Sequence, residues 1–277
     1  MILEARSLTK VYENDVVALD NVSFYVDDDR IVIVGPNGCG KTTLLSIVAG
    51  LRRPTRGVLT INGFEPYIER ERVLKEVSFG FAKPKLLFTS RVRDLVKLVA
   101  ECRGCGEEVW NYVYELGIEP FLDSRTCDLS AGQIQLLMVF LTTACWDGIV
   151  LLDEPLANLD MVNVRRVVNF LTKRRNFIVS THSVDEAELL SSSVIALNQG
   201  KLAWCGKINE LKFDNLYEVY LDSDEVLKQL DAEVLYQSGR LAIVRCRESV
   251  LRDALDRGSI NGFRRCGLRC VLLGLTT

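Results

Sequence analysis

The chain has 277 residues, 48% of them hydrophobic and 26% charged, with a net charge of −3. That length suits one large domain plus a small one, since single cores rarely grow past ~250 residues before splitting. Without a basic tract, nucleic acid is not an expected partner. The longest apolar runs fall far below the ~20 residues of a membrane helix, and Glu4, Arg6 and Lys10 interrupt any apolar leader. A cytoplasmic protein is expected, one that can still dock on a membrane protein.

In chain order, Leu3–Leu8 and Val22–Val26 have strand-like patterns, and Ile31–Val34 is a short, fully apolar strand. A Gly-rich loop follows at once, then a helix predicted over Thr42–Leu51 that stops at Arg52-Arg53-Pro54. Val58–Ile61 with the Asn62-Gly63 turn adds a β element, and Val77–Phe81 another. From about Pro84 to Asp128 the period turns helical. Val92, Leu95, Val96 and Val99 fall at i, i+3, i+4 and i+7, as do Val109, Tyr112, Val113 and Leu116. Strands at Ile149–Leu152 and Phe177–Ser180 flank a helix over Val162–Lys173, an alternation that implies a parallel sheet covered on both faces.

A second unit is expected from Leu211 onward. Its predicted elements are a strand at Leu216–Leu221, a helix at Asp224–Leu230 and a hairpin of Val234–Tyr236 with Leu241–Arg245. A helix at Ser249–Asp256 and a terminal strand at Leu268–Leu273 complete it. The order βαββαβ is that of a ferredoxin-like domain.

The nine cysteines are irregularly spaced, which does not suit a disulfide framework. Cys102 and Cys105 form a CxxC, and Cys266 and Cys270 lie four apart, yet His182 is the single histidine. Zinc needs about four nitrogen or sulfur ligands. The expectation is reduced, mostly buried cysteines that act as small hydrophobes.

Two motifs carry chemistry. Gly35-x-x-x-x-Gly40-Lys41-Thr42 is a complete phosphate loop in the required context of strand, loop and helix. Its glycines let backbone N–H groups turn around phosphates, and the following helix points its positive end at them. Lys41 reaches the β- and γ-phosphates of ATP, and the Thr42 hydroxyl is a ligand for Mg²⁺. Ile149–Leu152 then carries Asp153 to the sheet's carboxyl edge, where it can hold Mg²⁺, while Glu154 can orient and deprotonate an attacking water. Cys39, at a helix start near Lys41, is either a thiol of lowered pKa or the occupant of a variable loop position.

With these residues the chain resembles the ATP-binding cassette family, the ATPase subunits of ABC transporters, from Met1 to about Gly206. Leu129-Ser130-Ala131-Gly132-Gln133 is similar to the family signature LSGGQ, with alanine in place of the first glycine. Asn158-Leu159-Asp160 resembles the D-loop, Ser180-Thr181-His182 the strand end that carries the switch histidine, and Tyr12 the aromatic residue that stacks on adenine. Ser130 is also a natural helix N-cap.

The resemblance implies a P-loop NTPase cassette of α/β class over residues 1–210. Its mixed sheet would carry a small helical insert at about 84–128, ahead of the small α+β domain at 211–277. It implies ATP bound by Tyr12, by Gly35, Pro36, Asn37, Gly38, Cys39, Gly40, Lys41, Thr42 and Thr43, and by Ser130, Gly132 and Gln133. Glu154, His182 and Lys41 would be catalytic, and Thr42 and Asp153 would hold Mg²⁺. The implied partners are a second cassette chain, most simply a copy of this one, and a membrane-spanning permease on the inner face of the cell membrane. Each ATP would then lie between one chain's phosphate loop and the other chain's Ser130 and Gly132.

The short insert and the segment Asn62-Gly63-Phe64-Glu65-Pro66 resemble the multidrug, sodium and haem exporters, as does the chain's end, Leu268 to Thr276. Importer subunits differ mainly in their partner. One departure stands out: where the family has a glutamine after the strand at Val77–Phe81, this chain has Ala82 followed by Lys83-Pro84. The expectation is weakened Mg²⁺ coordination or coupling, with a weakly hydrolysing, nucleotide-gated subunit as the alternative.

Overall fold

The computed structural model describes residues 1–82, 90–211, 213–222, 226–227 and 230–275. Contacts divide the chain into two units, Met1–Cys205 and Gly206–Thr277.

In the first unit, long strands with one buried face build an antiparallel sheet of order β2-β1-β4. β1 (Ile2–Val11) buries Leu3, Ala5 and Leu8, and β2 (Val17–Asp27) buries Leu19, Val22, Phe24 and Val26. β4 (Arg56–Ile61) pairs with β1 on its other side.

The second sheet has the order β5-β6-β7-β3-β8-β9. β3 (Arg30–Val34), β5 (Val77–Gly80), β6 (Ile149–Asp153), β7 (Phe177–Thr181) and β8 (Ser193–Asn198) pair in parallel, and β9 (Lys201–Lys207) closes the edge. β6 and β7 are buried along their whole length, as strands covered on both faces must be. Two helices follow β3 and β4 in the chain, α1 (Lys41–Val48) and α2 (Arg70–Glu76).

The predicted helical spacing is realised in α3 (Val92–Arg103), which buries Val92, Val96 and Val99, and α4 (Val109–Leu116), which buries Val109, Val113 and Leu116. Each ends on a glycine at positive φ, Gly104 and Gly117, which a side chain would disfavour. The first residues of the expected insert, from Pro84, lie outside the described residues. α5 (Ala131–Thr143), α6 (Met161–Thr172) and α7 (Val184–Leu190) complete this unit.

In the second unit, β10 (Leu216–Leu221), β11 (Glu233–Ser238), β12 (Leu241–Arg245) and β13 (Ile260–Arg265) form an antiparallel sheet of order β11-β12-β10-β13. Tyr217, Val219 and Leu221 pack with Leu251 and Ala254 of α8 (Glu248–Asp256) in one core. The helix expected over Asp224–Leu230 falls largely outside the described residues.

Two expectations are corrected here. Leu268–Leu273 is not a strand: Leu268–Leu272 forms α9, and the last strand is β13. A short apolar run does not tell strand from helix, while β13 buries only Ile260 and carries Gly262 at its centre, so its strand character is masked. A strand would set Cys266 and Cys270 about 13 Å apart; their Cα atoms lie 6.0 Å apart and the two are bonded.

The cysteines are the second correction. They are not all reduced, since Cys105–Cys145 and Cys266–Cys270 are disulfides, and the CxxC does not pair within itself. Cys105 follows α3 and Cys145 follows α5, helices that pack together, so partners 40 residues apart meet through tertiary structure that spacing does not reveal.

Closing a loop of that length constrains the unfolded chain by about 4 kcal/mol in the chain-entropy account. A Cys105→Ser/Cys145→Ser variant is expected to melt several degrees lower than the parent. Thiol titration of the unreduced, unfolded chain should count the free cysteines 39, 102, 127, 205 and 246 alone; a count of all nine would remove both bridges. In the native protein at about pH 8, alkylation should select the exposed Cys102 and Cys127. Burial pushes the thiols of Cys39 and Cys246 up, and that of Cys205 up to about 11, so their thiolate fractions fall and they should react slowly.

Candidate active site

β3 ends at the carboxyl edge of the parallel sheet and delivers the loop from Gly35 to Thr43 there. Close approach explains two of its glycines. A Cβ on Gly35 would meet the Leu197 carbonyl at 2.2 Å, and one on Gly40 would meet that of Ala18 at 2.5 Å, with φ at 106°. Gly40 caps α1 without a side-chain hydrogen bond, so the first N–H groups of the helix are left for another acceptor, as an anion site requires. Pro36, Asn37 and Gly38 form the exposed tip.

Lys41 is only 6% exposed. Its Nζ donates to the carbonyls of Gly35 at 2.8 Å and Pro36 at 3.2 Å, and it lies 3.3 Å from Oε1 of Glu154. The buried cation is thus satisfied by the loop and by one carboxylate. Cys39 turns inward against the core, 3% exposed, and burial pushes its thiol up against the opposing pull of Lys41. Of its two readings the structure supports the filled loop position.

The Asp153 carboxylate is buried at the end of β6. Thr42 Oγ1 donates to its Oδ2 at 2.8 Å, and Ser180 Oγ donates to its Oδ1. One hydroxyl and one carboxylate, both oxygen donors, fit Mg²⁺, which takes few protein ligands and completes its shell with water and phosphate oxygens. Among the described residues no cluster of His, Cys, Asp or Glu offers an all-protein metal cage.

Glu154 follows with φ at 51°. A left-handed residue other than glycine costs on the order of 1–3 kcal/mol and persists where its surroundings hold it. Here its N–H donates to both O and Oγ of Ser180 at 3.1 Å, and its carbonyl accepts from Gln135 Nε2 at 3.1 Å. The turn sends the side chain back toward the loop, where Nδ1 of His182 donates to Oε2 at 2.8 Å. Glu154 therefore lies between Lys41 and His182.

The pocket so formed is lined by Gly38, Lys41, Thr42, Ala82, Asp153 and Glu154. Ala82 does stand at this site, and it brings only a methyl group to the lining. Tyr12 meets the end of the phosphate loop, its hydroxyl 3.1 Å from Thr43 Oγ1, with Lys10 and Arg52 over its ring at 5.5 and 5.1 Å.

Ser130, Gly132 and Gln133 do not join this pocket. They open α5 in a full capping box: Ser130 Oγ accepts from Gln133 N, and Gln133 Oε1 accepts from Ser130 N. With Asn158 and Asp160 they line a separate cleft. Sequence reading missed Ser180 and Gln135 as parts of the site. The signal for Gln135 was a glutamine within an otherwise apolar stretch of helix.

The family model for the ABC transporter matches residues 19–157. An uncharacterised ABC transporter ATP-binding protein of Methanocaldococcus jannaschii is 31% identical over 260 residues, covering 90% of this chain and 93% of its own. The spermidine/putrescine import ATP-binding protein PotA of Lawsonia intracellularis is 31% identical over 222 residues, 74% of this chain and 58% of that protein. Among solved structures, a dimeric ATP-binding cassette in a post-hydrolysis state bound to ADP and Pi superposes with a TM-score of 0.64. It is 25% identical and covers 74% of this chain and 98% of its own. Sequence likeness along nine-tenths of the length and the likeness of fold agree: the chain belongs to the ABC transporter family, as an ATP-binding subunit.

Proposed function

We propose that this chain is the ATP-hydrolysing subunit of an exporter, working as a head-to-tail pair of cassettes on a separate membrane-spanning permease at the cytoplasmic face. The observation that carries the hydrolytic role is Glu154, whose carboxylate is held within hydrogen-bond reach of both Lys41 and His182. When the phosphate loop takes up ATP, Lys41 turns to the phosphates and leaves Glu154 to accept the proton of the attacking water. His182 keeps the carboxylate oriented. Thr42 and Asp153 would hold Mg²⁺, which neutralises charge on the phosphate oxygens. Tyr12 offers its ring to the adenine.

Ser130 and Gly132, apart from their own chain's loop, would close on the ATP of a second copy. That pairing is supported by the exposed N-terminus of α5, where the N–H groups of Ala131 and Gly132 lie outside the capping box and favour an anion. Among the described residues no helix is long and apolar enough to cross a membrane, so attachment there would run through the permease. The direction of transport rests on the short helical insert and the segment from Asn62 to Pro66; α9 removes the support once drawn from a terminal strand. Reconstitution with the permease in vesicles, with ATP on one side only, decides it: substrate movement toward the ATP would overturn export.

Lys41→Ala should abolish ATP binding. Glu154→Gln should retain ATP while turnover falls about a hundredfold or more, read as kcat against the nucleotide Kd.

Ala82 favours a second reading, slow turnover in a subunit gated mainly by nucleotide binding. Ala82→Gln should raise turnover and lower the Mg²⁺ concentration at half-maximal rate. An unchanged rate and Mg²⁺ dependence would dismiss any role for this position.

A further inference from the structure

The helix that opens with Ser130 and the turn that carries Glu154 are joined by one side chain. Gln135 lies five residues after Ser130 in α5, 4% exposed, and its Nε2 donates to the Glu154 carbonyl at 3.1 Å. That carbonyl already accepts from the N–H of Ala157 at 3.2 Å. Gln135 is therefore not needed to rescue a buried acceptor from going unpaired. A second donor on the same oxygen fixes instead the plane of the peptide. With the N–H of Glu154 on Ser180, both ends of this left-handed residue are clamped, which fixes the direction in which its side chain leaves the backbone, toward Lys41 and His182.

We propose that Gln135 is a positioning residue for the general base, placing the Glu154 carboxylate from the helix that begins at Ser130. The proposal rests on Glu154 being that base. Because Ser130 and Gln135 share one helix, a displacement of its N-terminus moves the donor that aims Glu154.

The test is Gln135→Leu in the full chain, a change of similar volume that removes the donor and leaves the carbonyl its bond from Ala157. Steady-state kcat should fall about 10- to 100-fold, since a small misplacement of a reacting group costs that much. The Kd for ATP should stay within about twofold, because the phosphate loop is untouched. In a Glu154→Gln background the same substitution should bring no further loss. An unchanged kcat, a further drop in that background, or loss of ATP binding or of the folded state would each overturn the proposal; the last would make Gln135 a support of the fold. If Glu154→Gln alone leaves turnover intact, the assignment of the base is what fails. A Gln135→Leu effect that persists there is then independent of Glu154 and overturns the positioning role as well.

Discussion

A carboxylate buried at the end of an apolar strand is the constraint from which the site follows. Burying a charge is costly unless donors meet it, and Asp153 finds two, Thr42 from the first turn of α1 and Ser180 from the neighbouring β7. Three segments remote in sequence are thereby tied to one pair of oxygens. β6 is apolar over its first four residues, so the charge falls at the sheet's carboxyl edge. The next residue has to leave the strand sharply. Glu154 does so with its N–H still on Ser180, and this brings its side chain back to Lys41.

How much of this could be read beforehand depends on how local each cause is. The phosphate loop was legible because strand, glycines, lysine and threonine are contiguous, and their chemistry needs that spacing. The apolar strands and the helices of the insert were legible from period alone. Gln135 was not, because its partner lies 19 residues away and no pattern joins them. Cys105 and Cys145 failed for the same reason at a separation of 40. α9 and β13 failed differently: an apolar run of helix was read as strand, and a polar strand with a central glycine gave no signal.

Two substitutions within legible motifs show opposite consequences of a small side chain. Cys39 fills a loop position by packing into the core beneath Gly35, and burial outweighs the nearby Lys41 in setting its thiol. Its thiolate fraction is lowered as a result. Ala82 faces the pocket instead, where a methyl group supplies neither donor nor acceptor. The remaining polar groups there, Thr42, Asp153, Glu154 and Lys41, satisfy one another, so the fold tolerates alanine at no cost in unpaired charge. What alanine removes is reach toward whatever occupies the pocket.

The capping box bears on the proposed dimer in a way that motif matching alone does not reach. Ser130 Oγ accepts the N–H of Gln133 at 3.3 Å, which is a structural task. A hydroxyl has one proton besides its lone pairs, and accepting a hydrogen bond leaves that proton free to turn outward. Capping and anion recognition therefore use different parts of one group. Gln133 spends its side-chain oxygen on the Ser130 N–H, so the amide nitrogen is what it can offer a second chain. Ala131 lies exposed in the first turn, where a methyl in place of a glycine hydrogen interrupts neither bond and favours the helix. The altered signature thus keeps the donors that would face a phosphate, and gains a firmer helix from which to present them.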